Sequence, residues 1–571
     1  MKFKKHFFRT CPLFVLLLLS CSAQSAPANA TDHKSVTLTI AHVNDTHSHI
    51  EPTTLNLKFD SLSAYVQAGG LPRLNAKIKE LRQNDPNLLF LHAGDLFQGT
   101  IYFQKFQGLA DLYFFEAAGL DALTVGNHEF DKGPDVLNSF AEQADFPLLA
   151  ANIVIKEGSS LTDKIRPFII KEVGGEKIAI IGLGTPQTKF ISSPGELVSF
   201  DNPVTVIKKQ IEQHSRIGIN KILVLSHLGF EADIRLARSV PEIDVIIGGH
   251  SHTQQGPFKK LGLHSFGPYP LIVQNPANQN TLIVQAWQNA CELGVLHVTF
   301  DEQGVISQYS GNPELLVDDD FLTKNAAGEK VPVTAVIKKQ ILTLIDKDPL
   351  IEVVEEDPAV MPKYHEFTAS LAQLKQTVVG HAQDDLIRGP NRGPGILMTD
   401  AMLWKTKNLG VNVALLNSGG ARDNIFAGPI TVDRIYAAHP FGNTLVIVEL
   451  SGQELLAVLD ENSQLYAGKG SPPYVSGMRF SIDKKNPKGK RITELQIRAA
   501  DHQWVNVDNH KLYKIVIPSF LANGGDYNDT LKNAKNKLDT GFIDAEILID
   551  YVKGMKVIKE SDEVRIKIIK K

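Results

Sequence analysis

The segment VTLTIAHVNDTH, Val36–His47, reads as a buried strand that stops at a cluster of side chains able to bind metal. An aliphatic run bounded by polar residues is the sequence form of a strand covered on both faces. The pattern recurs: Leu88–Leu91 runs into Gly94-Asp95, Ala122–Val125 into Gly126-Asn127-His128-Glu129-Phe130-Asp131, Ile222–Leu225 into Ser226-His227, and Val245–Ile247 into Gly248-Gly249-His250-Ser251-His252. A sixth run, Ile178–Leu183, has no such cluster after it. Helical patterns lie between the runs, so residues 35–335 are expected to form α/β layers. Ligands in α/β sheets bind beyond the carboxyl ends of the strands, and the five clusters should therefore meet in space.

Each cluster alone is ambiguous. An Asp after a strand is often a helix cap, and a lone His is often a hydrogen-bonded core residue. The ordered set is far harder to obtain by chance. Its donors are imidazoles, carboxylates and an amide, with no thiolate, which suits zinc, manganese, cobalt or magnesium. Two such ions about 3.5–4 Å apart supply both a hydroxide and charge neutralisation for phosphate-ester hydrolysis, and one carboxylate must bridge them.

The order NDTH, GD, GNHEFD, SH and GGHSHT resembles the calcineurin-like metallophosphoesterases, specifically the 5'-nucleotidase and UDP-sugar hydrolase family, over almost all of the mature chain. The resemblance implies a four-layer α/β/β/α phosphoesterase domain at 35–335, a helical connector or hinge at 336–369, and an α/β substrate-binding domain at 370–565. Carried over by position, it gives one divalent ion Asp45, His47, Asp95 and His252, and the second Asp95, Asn127, His227 and His250, with Asp95 as the bridge. His128 matches the family's catalytic histidine, and Asp131 would orient it. Asn127 would also face substrate. The implied reaction is hydrolysis of a nucleoside 5'-phosphate to nucleoside and phosphate by a metal-bound hydroxide, for nucleotide salvage.

Specificity is sought after residue 370. Arg388 and Arg392 stand four apart, and Arg422 follows the Gly-rich Asn417–Ala421. Surface arginines are usually solvated, but guanidinium groups also match phosphate oxygens. Phe441 and Phe520 flank glycine-rich turns, although aromatics more often belong to a core. By resemblance the three arginines bind substrate, the two phenylalanines clamp the base, and Asn443 and Asp526 hydrogen-bond base or ribose. Substrate would then lie between domains that rotate to open and close. A UDP-sugar diphosphatase, a 2',3'-cyclic phosphodiesterase with 3'-nucleotidase activity, and a lipid-anchored nucleotide-binding receptor are the alternatives.

The 571 residues exceed one core and imply at least two domains. A hydrophobic fraction of 43% and a charged fraction of 21% describe a globular protein. The net charge of -4 argues against nucleic acid as a partner. Lys2, Lys4, Lys5 and Arg9 precede the short apolar run Cys11–Leu19, a leader expected to occupy 1–20. Leu18-Leu19-Ser20-Cys21 resembles a lipobox with Cys21 as the acylated residue, and 21–34 would be a flexible tether. Cleavage after Ala28-Asn29-Ala30 is the alternative. Both place the protein outside the cytoplasm, on the periplasmic or cell-surface side, and the lipobox adds a membrane anchor. Cys291 is the one cysteine beyond the leader, so no disulfide within the body is expected. A monomer is expected rather than an oligomer.

Overall fold

The computed structural model describes residues 33–325, 330–464, 472–483, 485–499 and 503–569. The leader, the acylation candidate Cys21 and the tether up to residue 32 lie outside them. The end of the tether is held by Glu176, which accepts the backbone N–H of Lys34 at 2.7 Å and lies 2.9 Å from His33 Nδ1.

All six aliphatic runs are strands: β1 Val36–Val43, β2 Leu88–His92, β3 Ala122–Thr124, β4 Glu176–Gly184, β5 Ile222–His227 and β6 Val245–Gly248. β1, β2 and β3 are parallel neighbours in one large sheet, and β4, β5 and β6 are parallel neighbours in a second. Strand side chains alternate between faces, so each sheet needs two apolar covers. One face is shared: Leu38, Ile40, Leu89 and Leu91 pack against Ile178, Ile180, Leu223 and Val245. The outer face of the first sheet is covered by α1 (Leu71–Asn84), α2 (Leu109–Ala118) and α3 (Pro134–Gln143), through Leu74, Phe115 and Phe140. The outer face of the second takes α4 (Pro203–Ser215) and α5 (Phe230–Ala237), through Ile207, Ile211 and Leu236. The result is the four-layer α/β/β/α arrangement, which needs continuous aliphatic runs because neither sheet has a wet face.

The stretch 336–369 is tied to this domain. Helix α6 (Ala335–Ile345) buries Ile341 and Ile345 with Phe258 and Phe321, and strand Ile351–Val353 pairs with Ile306–Val317 of the first sheet. Helix α7 (Met361–Ser370) buries Phe367 beside Phe103 and Phe114. A short helix, Ala372–Lys375, then leads to strand Val378–Ala382.

In the C-terminal half, β7 (Val413–Leu416), β8 (Thr444–Ser451), β9 (Leu512–Pro518) and β10 (Leu538–Ile543) belong to one mixed sheet. Helices α8 (Pro394–Thr406) and α9 (Asp544–Met555) cover one face through Met398, Met402 and Leu548. Among the described residues no helix is long and apolar enough to cross a membrane.

Candidate active site

The five loops meet at the carboxyl ends of the parallel strands. The loop after β1 is joined to the loop after β2: Asp45 N donates to Gly94 O at 2.9 Å, His47 N to Asp95 O at 3.1 Å and Ser48 N to Leu96 O at 2.9 Å. The loop after β6 joins them, its His250 N donating to both Asp45 oxygens at 3.0 Å. Five candidate ligands have left-handed backbone: Asp45 (φ 50°), His47 (50°), Asp95 (55°), His250 (71°) and His252 (48°). Non-glycine residues there store strain, and such outliers gather at functional sites. Gly94 is required for the approach of β5, since a Cβ on it would lie 2.6 Å from His227 Nδ1.

The side chains converge in three overlapping groups, Asp45–His47–His252, His47–Asp95–His128 and Asp95–His227–His250. His47 Nε2 and His252 Nε2 are 3.1 Å apart, and His252 Nε2 is 3.3 Å from Asp45 Oδ1. His47 Nδ1 faces Phe97 O at 3.2 Å and His227 Nδ1 faces Ala93 O at 2.7 Å. A carbonyl can only accept, so each Nδ1 carries a proton and each Nε2 faces the site; burial lowers the His227 pKa, but Asp95 beside its Nε2 raises it to about 9, so a cation bound there would replace the Nε2 proton. Burial, then the neighbouring His128, holds His47 neutral, and burial with His227 holds His250 at a pKa of about 4; neutral imidazole is the form that coordinates.

These residues fit divalent ions. Both side-chain polar atoms of Asn127 are buried with no hydrogen-bond partner among the described residues. His227 Nε2 lies 2.9 Å from Asp95 Oδ2 but without hydrogen-bond geometry. Orphaned buried groups like these demand a missing partner, and a cation between Asp95, Asn127 and His227 supplies one.

His128 differs from the others. Its Nδ1 lies 2.6 Å from Asp131 Oδ2, and its Nε2 points toward the ligand cluster, 4.0 Å from Asp95 Oδ2. Burial lowers its pKa, but the carboxylates of Asp131 and Asp95 outweigh burial and raise it to about 10, so the ring is cationic at neutral pH. Ser192 Oγ fixes the other oxygen of Asp131 at 2.6 Å.

Three supporting residues escaped the sequence reading. Glu129 is fully buried, and its carboxylate accepts Gly126 N (2.6 Å), Asp95 N (3.1 Å), Leu96 N (2.8 Å) and Phe97 N (3.2 Å). It thereby ties the loop carrying Asp95 to the loop carrying Asn127. Asn44 donates to Asp45 Oδ2 at 2.6 Å, and Asp233 accepts Ser226 Oγ beside His227 at 2.6 Å. The available signal for Glu129 was an acid with no assigned task inside GNHEFD. In Glu129→Gln an amide NH2 would oppose N–H donors, so metal affinity is expected to fall roughly 10–100-fold, the usual loss on removing a group that orients ligands. Calorimetric metal titration of the variant checks this.

In the C-terminal domain, Arg388, Arg392 and Arg422 are all exposed. Arg388 Nη1 donates to Arg422 O at 3.2 Å, and the Arg422 guanidinium lies 5.3 Å from the Phe441 ring centroid. Phe441 and Phe520 are 44% and 39% exposed, too open for core residues. The amide of Asn443 is engaged within the domain, its Nδ2 donating to Asp544 at 3.2 Å and its Oδ1 accepting Phe520 N at 3.3 Å, so here it positions Phe520. Asp526 accepts Asn417 Nδ2 at 2.9 Å.

The two domains touch at the site. A Cβ on Gly541 in β10 would lie 2.6 Å from His128 Nε2 and 2.7 Å from Asn127 Nδ2, and one on Gly442 would lie 3.8 Å from Gly99 O and from His49. Chemically the arrangement joins a cation-binding crevice to a buried acid and, across the domain boundary, to guanidinium groups and two open aromatic rings.

Residues 38–254 match the calcineurin-like phosphoesterase family, and residues 378–533 match the 5'-nucleotidase C-terminal domain. The chain is 34% identical to a probable 5'-nucleotidase of Treponema pallidum, over 91% of this chain and 92% of the relative. Its fold is similar to the structure of Haemophilus influenzae NAD nucleotidase, with a TM-score of 0.79 and 30% identity over 94% of this chain and 99% of the other. It is also similar to a 5'-nucleotidase precursor from Thermus thermophilus, with a TM-score of 0.59 and 38% identity over 94% and 100% of the two chains.

Proposed function

This chain belongs to the 5'-nucleotidase family, a calcineurin-like phosphoesterase domain joined to a 5'-nucleotidase C-terminal domain, and from that premise we propose that it is an exported enzyme releasing phosphate from nucleoside 5'-phosphates for salvage. The observation that carries the reading is the meeting of Asp45, His47, Asp95, Asn127, His227, His250 and His252, with imidazole nitrogens and an unpartnered amide turned inward.

Divalent ions, when bound, neutralise the phosphoryl oxygens and make water nucleophilic at neutral pH. The protein's own groups do the rest. Asp95, a member of both the His47–Asp95–His128 and the Asp95–His227–His250 groups, would hold both ions. His128, held cationic by Asp131, sets its Nε2 proton toward the reacting phosphoryl group and can assist the leaving oxygen. Arg388, Arg392 and Arg422 attract the phosphate, and Phe441 and Phe520 offer rings to any base, which gives broad base tolerance. Residues 35–335 would perform the chemistry and 370–565 would recognise the nucleoside, with substrate held where the two meet. Export is supported by the basic and apolar leader, and anchoring through an acylated Cys21 by the lipobox-like Leu18-Leu19-Ser20-Cys21.

A phosphate-release assay across 5'-AMP, 3'-AMP, UDP-glucose and 2',3'-cyclic AMP, with and without chelator, tests the proposal. Chelator-sensitive turnover of 5'-AMP is expected, and tight binding without turnover in the presence of metal would instead identify a receptor. Phe441→Ala is expected to lower kcat/KM for 5'-AMP by about 1–3 kcal/mol, the worth of one base-stacking contact. Steady-state kinetics with several bases measure it. A second reading, hydrolysis of a diphosphate-linked nucleotide, is favoured by the likeness to an NAD nucleotidase over nearly the whole of both chains.

A further inference from the structure

A sixth loop reaches the site, and it carries none of the metal-binding side chains. Strand Asn280–Val284 lies parallel to β6, so the loop after it, residues 285–290, arrives at the same sheet edge as the ligand clusters. Hydrogen bonds fasten it to two of them. Gln285 is fully buried; its Oε1 accepts Thr253 N at 3.0 Å and Ser251 Oγ at 3.2 Å, and its Nε2 donates to Gly249 O at 3.1 Å, so it grips the loop carrying His250 and His252. Asn44 accepts Ala286 N and donates to Trp287 O, each at 2.7 Å. Asn289 N donates to Asp45 O at 2.8 Å, which sets Asn289 against a candidate ligand.

The loop is strained in this shape. Trp287, Asn289 and Ala290 have left-handed backbone, with φ of 51°, 59° and 53°. Asn tolerates that region, whereas Trp and Ala enter it only where the surroundings impose it. What the loop presents as a result is the side chain of Asn289. The residue is 8% exposed and lines a cavity of about 670 Å³ whose wall also includes Arg422 and Phe441 of the other domain. Its side-chain amide has no hydrogen-bond partner among the described residues. A buried amide left unpaired is costly, and a ligand in the cavity can supply the partner. The bond from Asn289 N to Asp45 O decides which part of a nucleotide that is: cations beside Asp45 hold the phosphate, while the open rings of Phe441 and Phe520 lie on the other domain. An amide NH2 can donate to a phosphoryl oxygen without bringing a charge of its own beside the ions.

We propose that the Asn289 amide donates a hydrogen bond to a phosphoryl oxygen of the bound nucleotide and fixes the phosphate against the metal-binding loops. This rests on the nucleotidase reading and adds to it a substrate-positioning residue that is not a metal ligand.

The test compares full-length wild type with Asn289→Gly and Asn289→Asp, each loaded with manganese. It measures KM for 5'-AMP, competitive inhibition by inorganic phosphate and by adenosine, and manganese affinity by calorimetry. Glycine keeps the left-handed backbone and the N–H to Asp45 O but has no amide. Aspartate keeps the shape and puts an anion where the donor was. In Asn289→Gly the KM for 5'-AMP and the inhibition constant of phosphate should both rise roughly tenfold or more, the worth of a hydrogen bond to a charged group. Asn289→Asp should raise both further. Adenosine inhibition and manganese affinity of Asn289→Gly should stay within about twofold of wild type, the latter showing that the variant is folded. Unchanged phosphate inhibition, adenosine inhibition weakened as much as phosphate inhibition, or manganese affinity lost in step with KM would each overturn the contact and leave the nucleotidase reading standing. A wild type inactive on 5'-AMP with metal present would overturn both.

Discussion

His128→Ala is expected to lower kcat for 5'-AMP by roughly 10²–10⁴-fold, the range supplied by a positioned proton donor, with a much smaller change in substrate binding. The expectation comes from the contrast between His128 and its neighbours. His47 and His227 have a backbone carbonyl on Nδ1, which leaves Nε2 as the nitrogen that can face a cation. His128 has the Asp131 carboxylate at 2.6 Å instead, which makes it a donor in the same crevice. A donor does its work as charge builds on the leaving oxygen, so kcat should fall and metal affinity should stay close to that of wild type. Equal losses in kcat and in binding of a non-hydrolysed nucleotide analogue would contradict the role. Asp131→Asn should move in the same direction by less, since the ring survives but loses its orienting carboxylate.

Asp95→Ala is expected to have the other large effect, abolishing tight binding of the metal pair and reducing turnover by more than the roughly 10–100-fold that follows loss of an orienting partner. Asp95 belongs to two of the three ligand groups and is the one member that those two share, beside His128 in one and His227 in the other. Removing it would leave each ion short of a donor and would take away anionic charge that the site offers to both. Burial opposes its ionisation, yet His227 and His128 hold its pKa well below the carboxylate range, so it is an anion at working pH. Calorimetry should show the wild type stabilised by added manganese, by about 2.7 kcal/mol at a hundred times the dissociation constant, and destabilised by chelator. The variant should respond to neither. A variant that keeps the metal-dependent shift would show that Asp95 does not bridge.

Much of the site was legible before any coordinates. Aliphatic runs too continuous for a half-wet sheet marked six strands, and all six are present with boundaries moved by no more than a few residues. The polar clusters were legible for a related reason: a strand must end where its sequence stops being apolar, and parallel strands bring those endings to one edge. The task of Glu129 was not legible, because a buried carboxylate that receives four N–H groups from two loops looks like any other Glu in a string of letters. Asn443 shows the same limit, since its commitment to Asp544 and to Phe520 N links positions far apart in sequence.

By itself, then, the chain's order of residues determined which strands exist, that they carry donors at one end, and what kind of ion those donors suit, because burial period and donor chemistry are local properties. Only the tertiary structure decided which nitrogen of each imidazole faces the site, that residues 336–369 pack on the phosphoesterase domain, that Gly541 rests against His128, and that Asn289 is bonded to Asp45. Those depend on contacts closed across hundreds of residues, whose geometry is set by how layers pack and which no short window of sequence encodes.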